Sequence, residues 1–364
     1  MIETFTIFSG IIALLSIYKK FSNRLVWFLL IIIPITFLDG LRWEMGTDWS
    51  AYYTYFNGGL QGFRNTTFDP GFVVYTDIIN YFTDNYSIYL LSISFITYVV
   101  AFYGIFRITE KNFLSIFYLM GTLPWYAGSM RQMLAVACFV WALKAIIDRK
   151  PIRYITLMLL GVSFHATLAV FILMYIFFGI STFAYIVLLA SIVIMVPLVP
   201  FLVQTLELIT SFYGFNKDFY QYVSGGAQHT GANPILGFSR KIITVFGLFI
   251  FSVIAVSSNN NNDNRRLQIK FFFALSSLTI VFYYIGTYQV LHVASRVDLY
   301  VGLVSTSILI GLIDNSMKKK FNRLIFYLFV LSLVGVFYSR LMWMDLFHPY
   351  SSIFYNYNLN RVLH

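Results

Sequence analysis

Ten stretches of this chain stay apolar for about the thickness of a lipid bilayer. They fall near residues 2–18, 25–41, 86–106, 113–128, 130–147, 152–203, 238–257, 268–290, 294–313 and 323–341. A bilayer core takes ~20 mostly apolar residues per helix, within a range of ~17–25. The runs therefore predict helices that cross a membrane. Charge agrees with this reading. Only 11% of residues are charged and 59% are hydrophobic, against ~25% charged in an ordinary soluble domain. So few charges do not cover a water-facing surface, which excludes a soluble enzyme and a disordered chain. A single cysteine, Cys138, excludes a disulfide scaffold.

The basic residues orient the runs. Cytoplasmic loops carry an excess of Lys and Arg. Lys19 and Lys20 follow the first run, and the Met-Ile-Glu start lacks the basic region of a cleavable signal peptide. This places the N-terminus outside and residues 19–24 inside. The basic stretches 107–111, 148–153, 258–270 and 314–323 are then inside, and loops 42–85 and 204–237 are outside. The 50-odd residues of run 152–203 suit three short crossings or one full span with a re-entrant hairpin; three are expected, with turns at Ser163-Phe164-His165 and Gly179-Ile180-Ser181. Residues 68–85 are too polar to span and read as an interfacial helix, with Asp69 as N-cap and Pro70 at its first position. The expected fold is an all-α, polytopic integral membrane protein. It has roughly eleven transmembrane helices and two larger outer loops, in a single membrane domain over residues 1–364.

The net charge of +10 then loses its first meaning. Sixteen of the 25 Lys and Arg residues fall on the inner side with four acids, a net +12, and the outer side is left at −2. The excess orients the chain and is no sign of nucleic acid. The informative cations are those on the outer side, beside apolar runs, where a charge at a helix centre costs ~2.5–3.5 kcal/mol. Arg42 ends the second run three residues after Asp39, the spacing of a helical ion pair or of a site residue at the interface. Arg131 and Gln132 follow Ser129, an N-cap candidate. A cation in a first helical turn opposes the helix dipole, and no acid lies nearby in sequence, so an anionic ligand or snorkelling to headgroups accounts for it. Arg240 and Lys241 open the run after the second outer loop. Arg296 opens another, two residues before Asp298, too close in sequence to share its helix face. Arginine suits bidentate phosphate binding. His165, in an apolar setting, reads either as a packing residue or as a proton acceptor near the outer face. No metal-ligand spacing, P-loop or nucleophile elbow occurs.

Several stretches together resemble the EpsG family of bacterial polysaccharide polymerases, related in role to the Wzy O-antigen polymerases. They are Leu41-Arg42-Trp43-Glu44-Met45-Gly46-Thr47-Asp48-Trp49-Ser50-Ala51-Tyr52-Tyr53, Phe68-Asp69-Pro70-Gly71-Phe72, Met130-Arg131-Gln132-Met133-Leu134-Ala135, Phe164-His165 and Ser295-Arg296-Val297-Asp298-Leu299-Tyr300. Their order covers nearly the whole chain, except 182–237 and the part after 323. The resemblance implies transfer of an undecaprenyl-pyrophosphate-linked glycan onto another lipid-linked repeat unit. The reaction would lie at the periplasmic face of the bacterial inner membrane, in exopolysaccharide or lipopolysaccharide biosynthesis. It implies no cofactor and no metal, so cations must neutralise the leaving pyrophosphate. Arg131, Arg296, Arg240 and Arg42 are the candidates for that task. His165 and Asp48 are candidates for the base, and Gln132, Tyr52 and Tyr300 for substrate binding. The expected partners are the undecaprenyl-pyrophosphate-linked oligosaccharide and the lipid bilayer. The resemblance also admits a chain-length regulator, and no nucleic acid.

Two other readings share part of this pattern. An O-antigen ligase would have the same basic pyrophosphate site. A flippase or transporter of lipid-linked oligosaccharides would place cations deep in the spans and show internal repeats; here the cations gather at one face and no repeat is visible.

Overall fold

A computed structural model describes residues 2–18, 22–45, 48–58, 68–123, 128–179, 234–259, 262–288 and 296–341. Twelve main helices carry them: α1 Ile2–Tyr18, α2 Arg24–Gly40, α3 Trp49–Phe56, α4 Pro70–Phe82, α5 Tyr86–Ile108, α6 Phe113–Thr122, α7 Met130–Ile147, α8 Pro151–Phe164, α9 Pro234–Ser258, α10 Asp263–Tyr288, α11 Arg296–Ser316 and α12 Lys320–Leu341. A short 3-10 helix, Ala166–Phe171, follows α8. The all-α expectation holds, since the described residues contain no strand.

The count of eleven crossings is not confirmed. Among the described residues six helices are long and apolar enough to cross a membrane: Tyr86–Ile108, Met130–Ile147, Gly237–Ser258, Asp263–Gly286, Arg296–Ser316 and Lys320–Phe337. Thr4–Tyr18, Phe113–Thr122, Pro151–Phe164 and Ala166–Phe177 are apolar but shorter. The physical reason is local. Run 113–128 leaves the α-helix after Thr122, two residues before Pro124, as the steric restriction ahead of a proline favours. Run 152–203 breaks at His165, whose backbone is extended (φ −156°, ψ 112°), at the turn expected there. Of the turn expected at Gly179-Ile180-Ser181 only Gly179 is described, with a left-handed backbone (φ 102°); the rest of it and the outer loop before Pro234 lie outside the described residues.

The chain divides into two compact units, residues 1–175 with 310–364, and residues 176–309. In the first, α7 and α8 form an antiparallel hairpin closed at Arg149, which takes a left-handed conformation (φ 56°). Gly161 lets the two helices approach, since a Cβ there would lie 3.0 Å from that of Cys138, the small-residue packing that helices use in lipid. At one end of this unit an aromatic core gathers Trp49, Tyr52, Tyr55, Phe56, Phe72, Tyr86 and Tyr89. It joins α3, α4 and α5. In the second unit α9 and α10 form a hairpin across the Asn-rich turn. Ile243 and Phe246 of α9 are each 63% exposed. Outward apolar faces of this kind call for an apolar solvent.

Candidate functional site

The FDPG stretch places the central acid. Asp69 precedes Pro70, so it is held extended (φ −61°, ψ 142°), and Pro70 starts α4. Phe72 and Thr76, one turn apart, face inward and dock α4 on the aromatic core. Gly71 lies against α8: a Cβ there would come within 2.8 Å of the Ser163 carbonyl carbon. Asp69 sits at the cap position, yet its carboxylate makes no cap bond. It reaches across to α7 instead.

There Arg131 Nη1 meets Asp69 Oδ2 at 2.9 Å, with the two side chains 19% and 18% exposed. Arg131 Nε donates to the Tyr52 hydroxyl at 3.4 Å, and its guanidinium lies 4.9 Å from the Phe68 ring centroid, within cation–π range. The Ala166 amide donates to Asp69 Oδ1 at 3.3 Å. The preceding residue, His165, is buried, and its Nδ1 lies 2.6 Å from Thr167 Oγ1. Four separated stretches of sequence thus meet at one point. Burial pushes the Asp69 carboxyl above its ordinary pKa, opposed by Arg131 and by the Ala166 amide. The absence of an acid near Arg131 in sequence is made good in space.

The other candidates are placed as follows. Gln132 is buried beside Arg131. Asp48 precedes α3, and its carbonyl accepts from the Tyr52 amide at 3.1 Å, one turn below the tyrosine that meets Arg131. Ser129 occupies the position before α7 without a side-chain cap bond. Arg42 is buried and pairs with Asp39 at 2.6 Å, the ion pair that the spacing allowed. Ser94 Oγ donates to the second Asp39 oxygen at 2.6 Å. That network ties α2 to α5.

Beside the aromatic core a pocket of about 540 Å³ is lined by Trp43, Tyr53, Tyr86, Asn57, Asp84 and Asn85, among others. Tyr53 stacks on Trp49 with centroids 4.9 Å apart, which fixes its ring at the rim. Aromatic faces with carboxamide and carboxylate groups are the chemistry that binds sugars, through stacking and hydroxyl hydrogen bonds.

The second unit has its own polar cluster. Lys241, beside Arg240, makes the ion pair: its Nζ lies 2.7 Å from Asp298 Oδ2 and 2.9 Å from Thr279 Oγ1. Thr279 also donates to Asp298. Gly302 leaves room for them, since a Cβ there would lie 2.6 Å from Asp298 Oδ1. Arg240 and Arg296 are half-buried. Arg296 opens α11 one turn before the π-helical stretch Leu299–Ser305. Tyr300 is fully buried within that stretch, as a packing residue is. Among the described residues no group of three His, Cys, Asp or Glu side chains is placed to hold a metal.

Sequence reasoning treated Asp69 as a cap and passed over Phe68, Lys241 and Thr279 as site residues. The legible signal was the acids themselves: a carboxylate beside apolar helices calls for a partner.

The profile of the EpsG family matches residues 25–358, so the chain belongs to the EpsG family. No curated protein and no solved structure matches it.

Proposed function

We propose that this member of the EpsG family is a polysaccharide polymerase acting at the outer face of the cytoplasmic membrane. The donor is a glycan on undecaprenyl pyrophosphate, and the acceptor is the non-reducing sugar of another lipid-linked repeat unit. An acceptor hydroxyl oxygen attacks the donor's anomeric carbon. The bond from that carbon to the pyrophosphate oxygen breaks, the hydroxyl proton passes to a base, and undecaprenyl pyrophosphate leaves.

The observation that carries the reading is Arg131 set among Asp69, Tyr52, Phe68 and the Ala166 amide. A guanidinium has five donors in a planar fork. It can hold a carboxylate and a phosphate oxygen together, and so stabilise charge as it develops on the leaving group. Arg296 and Arg240 are further cations for this task. Arg42, turned onto Asp39 in a buried pair, is better suited to holding α2 on α5. Asp69, which pairs with the cation, and His165, next in sequence to the Ala166 amide that binds Asp69, are the bases we favour; Asp48 lies a helical turn from Tyr52. The aromatic pocket of Trp43, Tyr53 and Tyr86 is proposed to hold the sugars.

Lys241 and Asp298 fall among the first five residues of the spans Gly237–Ser258 and Arg296–Ser316. A transporter would need its charged site near the midplane, so this placement supports the polymerase. The test is a deletion strain complemented with wild type or Arg131→Gln, its surface polysaccharide resolved on a gel. Wild type should restore a ladder, and the variant should leave single-repeat bands at equal protein level. Loss of every repeat in the deletion strain would instead assign a ligase or flippase. A full ladder from Arg131→Gln would remove Arg131 from the site.

A further inference from the structure

The first unit has a second polar site at its other end. Helix α5 links the two. Its first residue, Tyr86, packs on Trp49 with centroids 5.4 Å apart, and Lys111 lies just beyond its last turn. Its 23 residues span about 34 Å at 1.5 Å per residue. Around Lys111 five helix ends meet: the last turn of α1, the first of α2, the α5–α6 turn, the end of α11 and the first turn of α12. They enclose a pocket of about 140 Å³ lined by Ser16, Arg24, Lys111, Asn112, Asp314 and Arg323, among others.

The acid of this pocket is already engaged. Asp314, 2% exposed at its side chain, receives Arg323 Nε at 2.8 Å and Nη2 at 2.9 Å. Asn112 donates to the same carboxylate at 2.7 Å, and its own oxygen caps α6 through the Ser115 amide at 3.1 Å. Arg24 donates to the Lys111 carbonyl at 3.1 Å, and pins a turn in which Glu110 and Lys111 are both left-handed (φ 52° and 64°). Such a turn strains non-glycine residues and persists where its surroundings hold it. Three cations line the pocket against one satisfied carboxylate. The lining therefore keeps two positive charges in excess, at the end where the basic loops lie.

We infer that this pocket holds a phosphate group, that of an anionic phospholipid headgroup at the cytoplasmic surface. Basic pockets between transmembrane helices on that side recognise lipid phosphates. Arg24 and Lys111 supply the charge, and Arg323, fixed by Asp314, supplies the rigid wall. The role is separate from glycan transfer, and it stands or falls independently of that reaction.

The purified full chain in neutral detergent is titrated with mixed micelles carrying phosphatidylglycerol, with phosphatidylcholine, and separately with inorganic phosphate. Thermal stability is the readout. Phosphatidylglycerol should raise the melting temperature of wild type, and phosphatidylcholine should not. Arg24→Gln with Lys111→Gln should bind roughly 25-fold more weakly, about fivefold for each cation removed near a membrane surface. Lys111→Arg, which keeps the charge, should bind as wild type and controls for folding. Inorganic phosphate acting alone at millimolar concentration would assign the same pocket to free phosphate. No stabilisation of wild type by either phosphate source, or an equal response from the double variant, would overturn the inference.

Discussion

The pair of Asp69 and Arg131 is the joint on which the site turns, and a double-mutant cycle measures it. Its atoms are 2.9 Å apart and each side chain is about one-fifth exposed. Two unit charges ~4 Å apart attract by ~4 kcal/mol at an effective dielectric near 20. Desolvation of both ions takes back part of this, and measured couplings of contacting pairs run from ~0.5 to ~3 kcal/mol. A coupling of about 2 kcal/mol is expected. Arg131→Gln alone leaves the desolvated Asp69 carboxylate uncompensated and should cost ~2–3 kcal/mol, whereas Asp69→Asn also removes that desolvated charge and should cost less. The double variant should cost about 2 kcal/mol less than their sum. Unfolding titrations with a denaturing detergent in mixed micelles give the four free energies. Additivity within ~0.5 kcal/mol would refute the claim that the pair holds α4 on α7. The exchanged variant, Asp69→Arg with Arg131→Asp, separates structure from chemistry. It should recover stability and still make no ladder, because the cation no longer projects from α7. A recovered ladder would show that only the pairing matters.

Three further outcomes follow from the packing. Gly71→Ala places a methyl 2.8 Å from the Ser163 carbonyl carbon; it should cost ~1–3 kcal/mol, read by thermal unfolding, and shorten the ladder as Asp69 moves off Arg131. Thr167→Val removes the hydroxyl 2.6 Å from His165 Nδ1; chain growth should fall about tenfold, on the scale of one lost hydrogen bond of ~1.4 kcal/mol, and Thr167→Ser should restore it. In the second unit Lys241→Met and Asp298→Asn each leave a half-buried partner uncompensated. Each should destabilise by ~2–4 kcal/mol in the same titration, and the double variant by less than either.

Much of the fold was legible because hydrocarbon admits few solutions. The start of α1, the break at His165, Pro70 opening α4 and the α9–α10 hairpin all follow from local rules about apolar length, proline and turns. The number of crossings did not follow, because an apolar run does not reveal where its helix ends: residues 113–128 read as one span, and the α-helix stops at Thr122. The site was half legible. Arg131, Tyr52 and His165 were marked by residue type in an apolar setting; Arg131 meets the acid Asp69 and the Tyr52 hydroxyl, and His165 is joined to that acid through the amide of its neighbour Ala166. Their acid was read only as a cap, a position it does hold. Asp69 before Pro70 satisfies every local requirement of a cap, and only the approach of α7, 62 residues away, turns its carboxylate elsewhere. In the same way Arg240 and Lys241 are equivalent on paper, and the rotation of α9 decides that Lys241 meets Asp298.

Asp69's change of partner also sets the pH behaviour of the site. Asp69 lies at the start of α4 and Arg131 in the first turn of α7, so the positive ends of two helix dipoles meet there. One carboxylate balances that charge. On the proposed function, a pyrophosphate at Arg131 would compete with Asp69 for the same donors and would set the carboxylate free. Burial already holds the Asp69 pKa above its ordinary value, and Arg131 and the Ala166 amide hold it down. A raised carboxylate pKa means that the folded state binds the proton more tightly than the unfolded state. Its contribution to stability is therefore present below the unfolded value of about 4 and is lost as pH rises through the folded one. Removing Arg131 takes away a lowering influence, so the window must widen upward. In Arg131→Gln the fall in stability with rising pH should continue to a higher pH than in wild type, and Asp69→Asn should abolish it in both backgrounds. Unfolding titrations from pH 4 to 8 read the difference. If the window in Arg131→Gln stayed in place or moved downward, Arg131 would not be holding the Asp69 pKa down, and the pairing that the site is built on would carry no charge coupling.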